Sequence, residues 1–118
     1  RAELARQAGY DEVHNCDARD IPRAAESIDV AVSNDVFVHI LQILDKAAVI
    51  REAERLLKPG GLMINADFVE PFAKDDPEKP RRFPVERHRE LLTTIGFADF
   101  AHSRHGQLAC MAAVRPTA

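Results

Sequence analysis

The clearest alternation of apolar and polar positions lies at residues 28–33, where the sequence reads IDVAVS. Ile28, Val30 and Val32 share one side of an extended chain and small residues share the other, which predicts a β-strand. A weakly apolar run at 12–16 and a stronger one at 62–66 predict two further strands. The chain therefore contains at least three strand candidates separated by other patterns.

Helical periodicity follows the second of these strands. Apolar residues recur at helical spacing from Val49 to Leu57, which predicts an amphipathic helix with Asp45 as its N-cap. The sequence KPGG at 58–61 ends it, because proline cannot continue a helix and glycine permits the turn. Two more helices are predicted at 3–8 and 85–95, each followed by a glycine.

The order of predicted elements is helix, strand, short helix, strand, helix, strand, helix and a closing hairpin at 97–103 and 107–114. This alternation predicts an α/β fold with a mainly parallel sheet, helices on both faces and a C-terminal antiparallel hairpin. Four prolines among mixed charges predict a long loop at 70–84.

Composition narrows the class of protein. A chain of 118 residues, 46% apolar and 30% charged, suits one globular domain, and no apolar run reaches the roughly 20 residues that span a bilayer. A net charge of −3 does not favour nucleic acid or anionic membranes. Cys16 and Cys110 are far apart and the five histidines are dispersed, so we expect reduced thiols, a cytoplasmic location and no metal site.

Polar residues close each of the three candidate parallel strands. The first ends in Asp17, the second in the run 33–35, and the third in Asn65 and Asp67. In open parallel sheets the ligand crevice lies outside the carboxyl ends of the strands. We therefore expect these side chains to lie along one rim and to form a binding site.

Three segments, CDARDIP, IDVAVSNDVFVHI and EAERLLKPGGLMI, occur in an order and spacing that resemble the C-terminal two-thirds of a class I S-adenosylmethionine-dependent methyltransferase. The resemblance implies a Rossmann-like fold, with residues 1–118 as a partial methyltransferase domain. It implies S-adenosyl-L-methionine as the cofactor and a small-molecule methyl acceptor as the partner. The closing LLTTIGF and LACMAAVRP segments match the same family.

The resemblance also assigns roles to individual residues. Asp17 would accept a hydrogen bond from the adenine amino group, which suits a carboxylate because it offers only acceptors. The backbone of Ala18 would meet the ring. Four residues would form the rest of the cofactor site, the first two at the methionine part and the others as pocket lining: Ser33, Asn34, Phe37 and Val38.

Other residues have weaker assignments. His39 matches a position where the family often has histidine, although it is more often a packed residue than a general base. In the loop at 70–84, which the resemblance places on the substrate side, Phe72 and Phe83 are candidates for a lid. Asp17 and Asp20 also suit a turn without any ligand. The arginines near residue 85 alternate with acidic residues, which indicates a solvated face.

One part of the family pattern is missing. The family begins with a strand and a glycine-rich turn, then a second strand ending in an acidic residue for the ribose, and none of the five glycines here forms a GxG pattern. The chain begins at Arg1, so we expect a fragment that lacks the first two strands, with a naturally trimmed protein as the alternative. Its remaining strands would expose unpaired edges, and we expect weak or absent cofactor binding.

Methyl transfer needs mainly positioning of donor and acceptor, so the absence of an obvious catalytic pair does not count against it. Two alternatives remain open. One is a fragment of a nicotinamide-dependent reductase on a similar sheet, although Tyr10 is the only tyrosine. The other is a non-catalytic interaction or regulatory remnant that uses the exposed sheet edge, because a fold alone does not fix a function.

Overall fold

The computed structural model of the protein describes residues 4, 7–10, 12–70, 74, 76 and 81–117. Its regular elements in chain order are β1 (Ile28–Asn34), a 3₁₀ helix (Phe37–His39), α1 (Ile43–Leu56), β2 (Leu57–Phe68), α2 (Val85–Ile95), β3 (Ala98–His105) and β4 (Leu108–Val114). The strands at 28–33 and 62–66, the helix at 85–95 and the closing hairpin are confirmed.

The four strands form one sheet in the order β1-β2-β4-β3. β1 and β2 are parallel, and β4 is antiparallel to both β2 and β3, so β1, β2 and β3 run in the same direction. Ser33 pairs with Asn65 and Asn34 with Ala66, which brings the carboxyl ends of β1 and β2 side by side. The predicted α/β class with its antiparallel hairpin is confirmed.

Both α-helices pack on the same face of this sheet. Ile50 of α1 and Leu92 of α2 join Met63 of β2 and Ala113 of β4 in one buried cluster. A smaller cluster joins Val85 of α2 to three sheet-side residues near the carboxyl end of β2, namely Val69, Ala109 and Met111. The second helix layer that the sequence predicts is not among the described residues.

The predicted strand at 12–16 and the short helix after it are wrong. Residues 12–16 have no regular structure, and 17–27 contain only isolated turns and bends. A strand needs a hydrogen-bonded neighbour. Within the described part of the chain the sheet ends at β1, and no strand is placed beside residues 12–16. Of the predicted helix at 3–8, Leu4 and Gln7 are helical, and most of it lies outside the described residues.

The boundaries of α1 also differ from prediction. The helix begins at Ile43 with Gln42 as N-cap, so Asp45 lies in the first turn and is not the cap. α1 ends at Leu56, and KPGG lies inside the first part of β2. Gly61 has no room for a side chain there, because a Cβ would lie 2.8 Å from the Lys58 carbonyl oxygen and 3.1 Å from that of Asp29. Gly61 thus allows β1 and β2 to approach closely after the helix stops.

Candidate functional site

A cavity of about 700 Å³ opens at the carboxyl end of β1. One wall is the turn that contains Asp17 and Arg19, and the opposite wall is the segment from Asp35 to Gln42. Its apolar lining comes from Val36, Ile40, Leu41 and Val49. The cavity therefore lies where the crevice of an open parallel sheet is expected.

Asp17 is held by Arg19 at the mouth of this cavity. Its Oδ1 accepts hydrogen bonds from the backbone N–H of Arg19 at 2.9 Å and from Nε at 3.0 Å, and Oδ2 accepts one from Nη2 at 2.6 Å. Nη1 of Arg19 donates to Oδ1 of Asp45 at 3.0 Å. The hydrogen bonds from the Arg19 side chain lower the pKa of Asp17 to about 2. Asp17 is therefore ionised at neutral pH.

Asp35 follows β1 in a left-handed backbone conformation, with φ of 57°. Aspartate tolerates this region better than most residues because its short polar side chain can bond locally. Its backbone N–H donates to the carbonyl of Ala66 at 2.8 Å, and Oδ2 lies 3.6 Å from Nε2 of His39. The strained residue turns the chain from the strand into the cavity wall, an arrangement common at binding sites.

A second cavity of about 460 Å³ adjoins the first. Ser33 and Asn34 line it, and it shares Ala18, Val36 and Val49 with the larger cavity. The Ser33 hydroxyl donates to Oδ1 of Asn65 at 2.9 Å. The structure thus brings the predicted residues Asp17, Ala18, Ser33 and Asn34 to adjoining cavities.

The predicted lining residues Phe37 and Val38 contribute to neither cavity. Phe37 is buried, and its ring packs edge-on against His88 at 5.8 Å between centroids. The 3₁₀ turn directs Phe37 into the core, while its neighbours Val36 and Ile40 line the cavity. His39 lines the larger cavity and is exposed.

Two buried charged residues hold this turn from beneath: Lys46, which the sequence analysis did not select, and Asp67, which it placed on the rim but which lines neither cavity. Oδ2 of Asp67 accepts a hydrogen bond from the backbone N–H of Phe37 at 2.9 Å, and Nζ of Lys46 donates to the Phe37 carbonyl at 2.5 Å. Both side chains are almost fully buried. Burial raises the pKa of Asp67. The sequence signal for Lys46 was its place among the apolar residues of α1. A lysine that is buried there must have polar partners.

The lid candidates have different outcomes. Phe72 lies outside the described residues. Phe83 is only 3% exposed and packs edge-on against His88 at 5.1 Å, so it belongs to the core beneath α2 and is not a surface lid residue. Burial, with the nearby Lys46 charge, lowers the pKa of His88 to about 4, which keeps this imidazole neutral.

Besides the contact of Arg19 with Asp45, hydrogen bonds from Glu52 and Arg55 attach the turn that carries Asp17 to α1. Oε2 of Glu52 accepts from the backbone N–H of Ile21 at 2.5 Å, and Nη2 of Arg55 donates to the Ile21 carbonyl at 3.0 Å. Arg55 also donates to Glu52 itself, and this bond chiefly lowers the pKa of Glu52 to about 2. The spacing of three residues between Glu52 and Arg55 was the sequence signal for this pair.

Within the described ranges, no group of three or more histidine, cysteine, aspartate or glutamate side chains is placed to hold a metal ion. The same part of the chain contains no helix that is long and apolar enough to cross a membrane.

Comparison with known proteins identifies relatives of this chain. A family model described as a methyltransferase domain matches residues 1–65. A dimethylglycine N-methyltransferase from Parasynechococcus marenigrum is 38% identical over 73 residues, which are 62% of this chain and 24% of that protein. The chain therefore spans about a quarter of the length of this curated relative.

Solved structures agree with the observed fold. A Thermotoga maritima protein described as a SAM-dependent methyltransferase and possible histamine N-methyltransferase superposes with a TM-score of 0.79 at 22% identity, covering 97% of this chain and 68% of that one. A Haemonchus contortus phosphoethanolamine N-methyltransferase was solved with phosphomonomethylethanolamine and S-adenosylhomocysteine. It superposes with a TM-score of 0.69 at 16% sequence identity, covering 86% of this chain and 36% of that one.

The family match covers more than half of the residues, and the sheet order, the strand directions and the cavity at the strand ends agree with it. The family match therefore favours the methyltransferase interpretation over the nicotinamide-dependent reductase. The chain belongs to the methyltransferase domain family.

Proposed function

We propose that this chain forms part of an enzyme that transfers a methyl group from S-adenosyl-L-methionine to a small-molecule acceptor. The observation that carries the proposal is the cavity at the end of β1, with an ionised Asp17 at its mouth and an apolar wall behind it. The names of three relatives support a small acceptor: a dimethylglycine N-methyltransferase, a possible histamine N-methyltransferase and a phosphoethanolamine N-methyltransferase.

The residues present fit an adenosyl group. The volume of about 700 Å³ lies within the range of ordinary ligand pockets, roughly 300–1,000 Å³. A carboxylate offers only acceptors and therefore suits an exocyclic amino group, while aliphatic side chains suit the faces of a purine. We assign Asp17 and Ala18 to the adenine end, and Ser33 and Asn34 to the methionine end.

The bound cofactor would supply a methyl group on a sulfonium, which the acceptor atom would take by in-line displacement as the carbon–sulfur bond breaks. The role of this chain is to bind and orient. Asp67 and Lys46 hold the turn that forms one wall, and Val36 and Ile40 give that wall an apolar surface. Such positioning can supply much of the rate enhancement.

An acceptor that loses a proton needs a base, and we keep His39 as the candidate. It is exposed at the cavity, and its Nε2 lies 3.6 Å from the Asp35 carboxylate. The segment 70–84 is assigned to the acceptor side, with Phe72 as its remaining lid candidate. Two free cysteines, both exposed, suit a reducing cytoplasm.

We further propose that residues 1–118 are a partial domain that is inactive alone. The chain spans 24% of the curated relative and 68% of the Thermotoga structure, and the glycine-rich and ribose-binding parts of the resemblance are absent from its sequence. Little or no binding of S-adenosyl-L-methionine by the 118-residue chain is expected, and a micromolar Kd would contradict this part of the proposal.

The function itself is tested in the natural polypeptide that carries these residues. Asp17→Asn should weaken binding of S-adenosylhomocysteine about 10- to 100-fold by isothermal titration calorimetry, because a hydrogen bond to a charged group contributes roughly 1.5–3 kcal/mol. The matched control is Asp20→Asn in the same turn, which should change the affinity less than twofold.

Two outcomes would count against these assignments. Equal affinity of Asp17→Asn and the unchanged protein would remove Asp17 from the adenine site. No cofactor binding by the natural polypeptide would overturn the proposed function as a whole.

A further inference from the structure

Arg19 occupies both oxygens of the Asp17 carboxylate. A carboxylate offers about four lone-pair positions, two on each oxygen. Oδ1 accepts hydrogen bonds from the backbone N–H of Arg19 at 2.9 Å and from its Nε at 3.0 Å. Oδ2 accepts from Nη2 at 2.6 Å and from the same Nε at 3.1 Å. A further donor must therefore displace one of these contacts to bond with Asp17.

The same guanidinium also contacts a carboxylate on α1. Nη1 of Arg19 donates to Oδ1 of Asp45 at 3.0 Å, and Asp45 lies in the first turn of that helix. Asp17, Arg19 and Asp45 all line the cavity of about 700 Å³. Arg19 thus connects two parts of the cavity lining, the turn that carries Asp17 and the start of α1.

An adenine amino group would compete with Arg19 for the same carboxylate. Asp17 is the proposed acceptor for this amino group, which is a neutral donor. The guanidinium is a charged donor, and hydrogen bonds between charged groups are shorter and stronger than those of neutral donors. The observed contacts of Arg19 therefore oppose the contact between Asp17 and adenine.

We propose that Arg19 is a gating residue for the cofactor, an inference that rests on the proposed function. In the observed arrangement Arg19 blocks Asp17. When adenine binds, Nη2 leaves Oδ2 of Asp17 and the guanidinium turns to Asp45, with which it already forms one hydrogen bond. The backbone N–H of Arg19 stays on Oδ1 of Asp17, so the turn keeps its shape.

This exchange of partners costs little free energy. The side chains of Arg19, Asp17 and Asp45 are 47%, 50% and 45% exposed, and ion pairs at such exposure contribute little. A guanidinium has five N–H donors in a planar fork, and two of them can bond one carboxylate together. Asp45 can therefore replace the hydrogen bond that Asp17 gives up.

A purely supporting role for Arg19 predicts the opposite result from gating. If Arg19 only held Asp17 in position for adenine, its removal would weaken cofactor binding. If Arg19 competes with adenine, its removal tightens binding, and removal of the Asp45 carboxylate weakens it because Arg19 then has no second anion to move to. The signs of these two changes therefore separate gating from support.

Isothermal titration calorimetry measures both signs, with S-adenosylhomocysteine and the natural polypeptide that carries these residues. Arg19→Met should lower the Kd about two- to fivefold, the range expected from loss of an exposed ion pair. Asp45→Asn should raise the Kd about two- to threefold. Arg23→Met is the matched control, because this exposed arginine of the same segment donates to Glu12 at 2.8 Å and should leave the Kd unchanged. Circular dichroism establishes that each variant is folded.

The double variant tests whether Asp45 acts through Arg19. In the Arg19→Met background, Asp45→Asn should lose most of its effect on the Kd, because the two residues influence the ligand through one contact. Additive effects would show that Asp45 acts on the ligand without Arg19.

Two results would overturn the gating role alone. One is binding by Arg19→Met that is equal to or weaker than that of the unchanged protein. The other is additivity of the two substitutions. If the unchanged polypeptide does not bind S-adenosylhomocysteine at all, the proposed function fails, and the gating role fails with it.

Discussion

Two regions of this molecule are held in place by different forces. The sheet–helix body, residues 28–69 and 81–114, contains the buried apolar clusters. The aspartate segment, residues 12–27, contains no fully buried residue. Its links to α1 are polar: Arg19 to Asp45, and the backbone of Ile21 to Glu52 and Arg55.

This difference separates the stability of the fold from that of the site. Burial of a large apolar side chain contributes about 1.5–3 kcal/mol, while a typical net hydrogen bond contributes about 0.5–1.5 kcal/mol and an exposed ion pair about 0–1 kcal/mol. The body can therefore stay folded when the aspartate segment is released. Asp17, the proposed adenine contact, lies on the less stable of the two regions.

The largest effect is expected in the body. Ile50→Ala removes a side chain that is 1% exposed at the centre of the main cluster, and should lower the free energy of unfolding by about 3 kcal/mol through lost burial and a residual cavity. Urea denaturation followed by circular dichroism measures it. A loss below about 1 kcal/mol would show that the body is loosely packed. It would also contradict the view that the body is more stable than the aspartate segment.

An intermediate effect is expected at the link between the regions. Glu52→Ala removes the acceptor of the Ile21 N–H and the partner of Arg55. It should lower the free energy of local unfolding of the aspartate segment by about 2 kcal/mol. Hydrogen exchange at the Ile21 amide should accelerate while amides of β2 keep their protection. Arg51→Ala, at an exposed position of the same helix, is the control.

The same link should depend on pH in a defined window. The pKa of Glu52 falls from 4.5 to about 2 in the folded chain, so the folded state binds fewer protons than the unfolded state between these values. The stabilisation is therefore fully present above about pH 4.5 and is lost as the pH falls towards 2. Equal exchange rates of the Ile21 amide in Glu52→Ala and the unchanged chain at pH 6 would contradict the role of this link.

The smallest effect on stability is expected at the exposed ion pairs. Arg19→Met should change the free energy of unfolding by less than about 0.5 kcal/mol, because Arg19 and both its carboxylate partners are about half exposed. The pKa of Asp17 should nevertheless rise from about 2 towards its ordinary 3.8, measured by carboxyl carbon chemical shifts. A pKa that stays near 2 would assign the shift to another group.

Sequence patterns predicted the body well because its elements follow local rules. The alternation at 28–33 gave β1, and the helical pattern at 85–95 with its closing Gly96 gave α2 at its observed boundaries. The strand at 12–16 failed because a strand depends on a neighbour. Whether a neighbouring strand is present depends on the whole sheet, and a local apolar run in the sequence does not contain that information.

The site was predicted only in part for a related reason. Polar residues at strand ends indicated the rim, since parallel register brings Ser33 beside Asn65. The 3₁₀ geometry decides which residues of the turn face the core and which face the cavity. The sequence alone therefore could not show that Phe37 is buried and that Ile40 lines the cavity. Lys46 and Asp67 meet only through the folded turn, 21 positions apart in the sequence.

β1 serves as a sheet edge along its length and as the support of the cavity wall at its end, since Asn34 is followed directly by Asp35. The N–H of Asp35 donates to the carbonyl of Ala66, so the cavity wall is fixed to β2. A molecule that binds against this wall, and does not bind the unfolded chain, raises the apparent stability of the sheet by mass action.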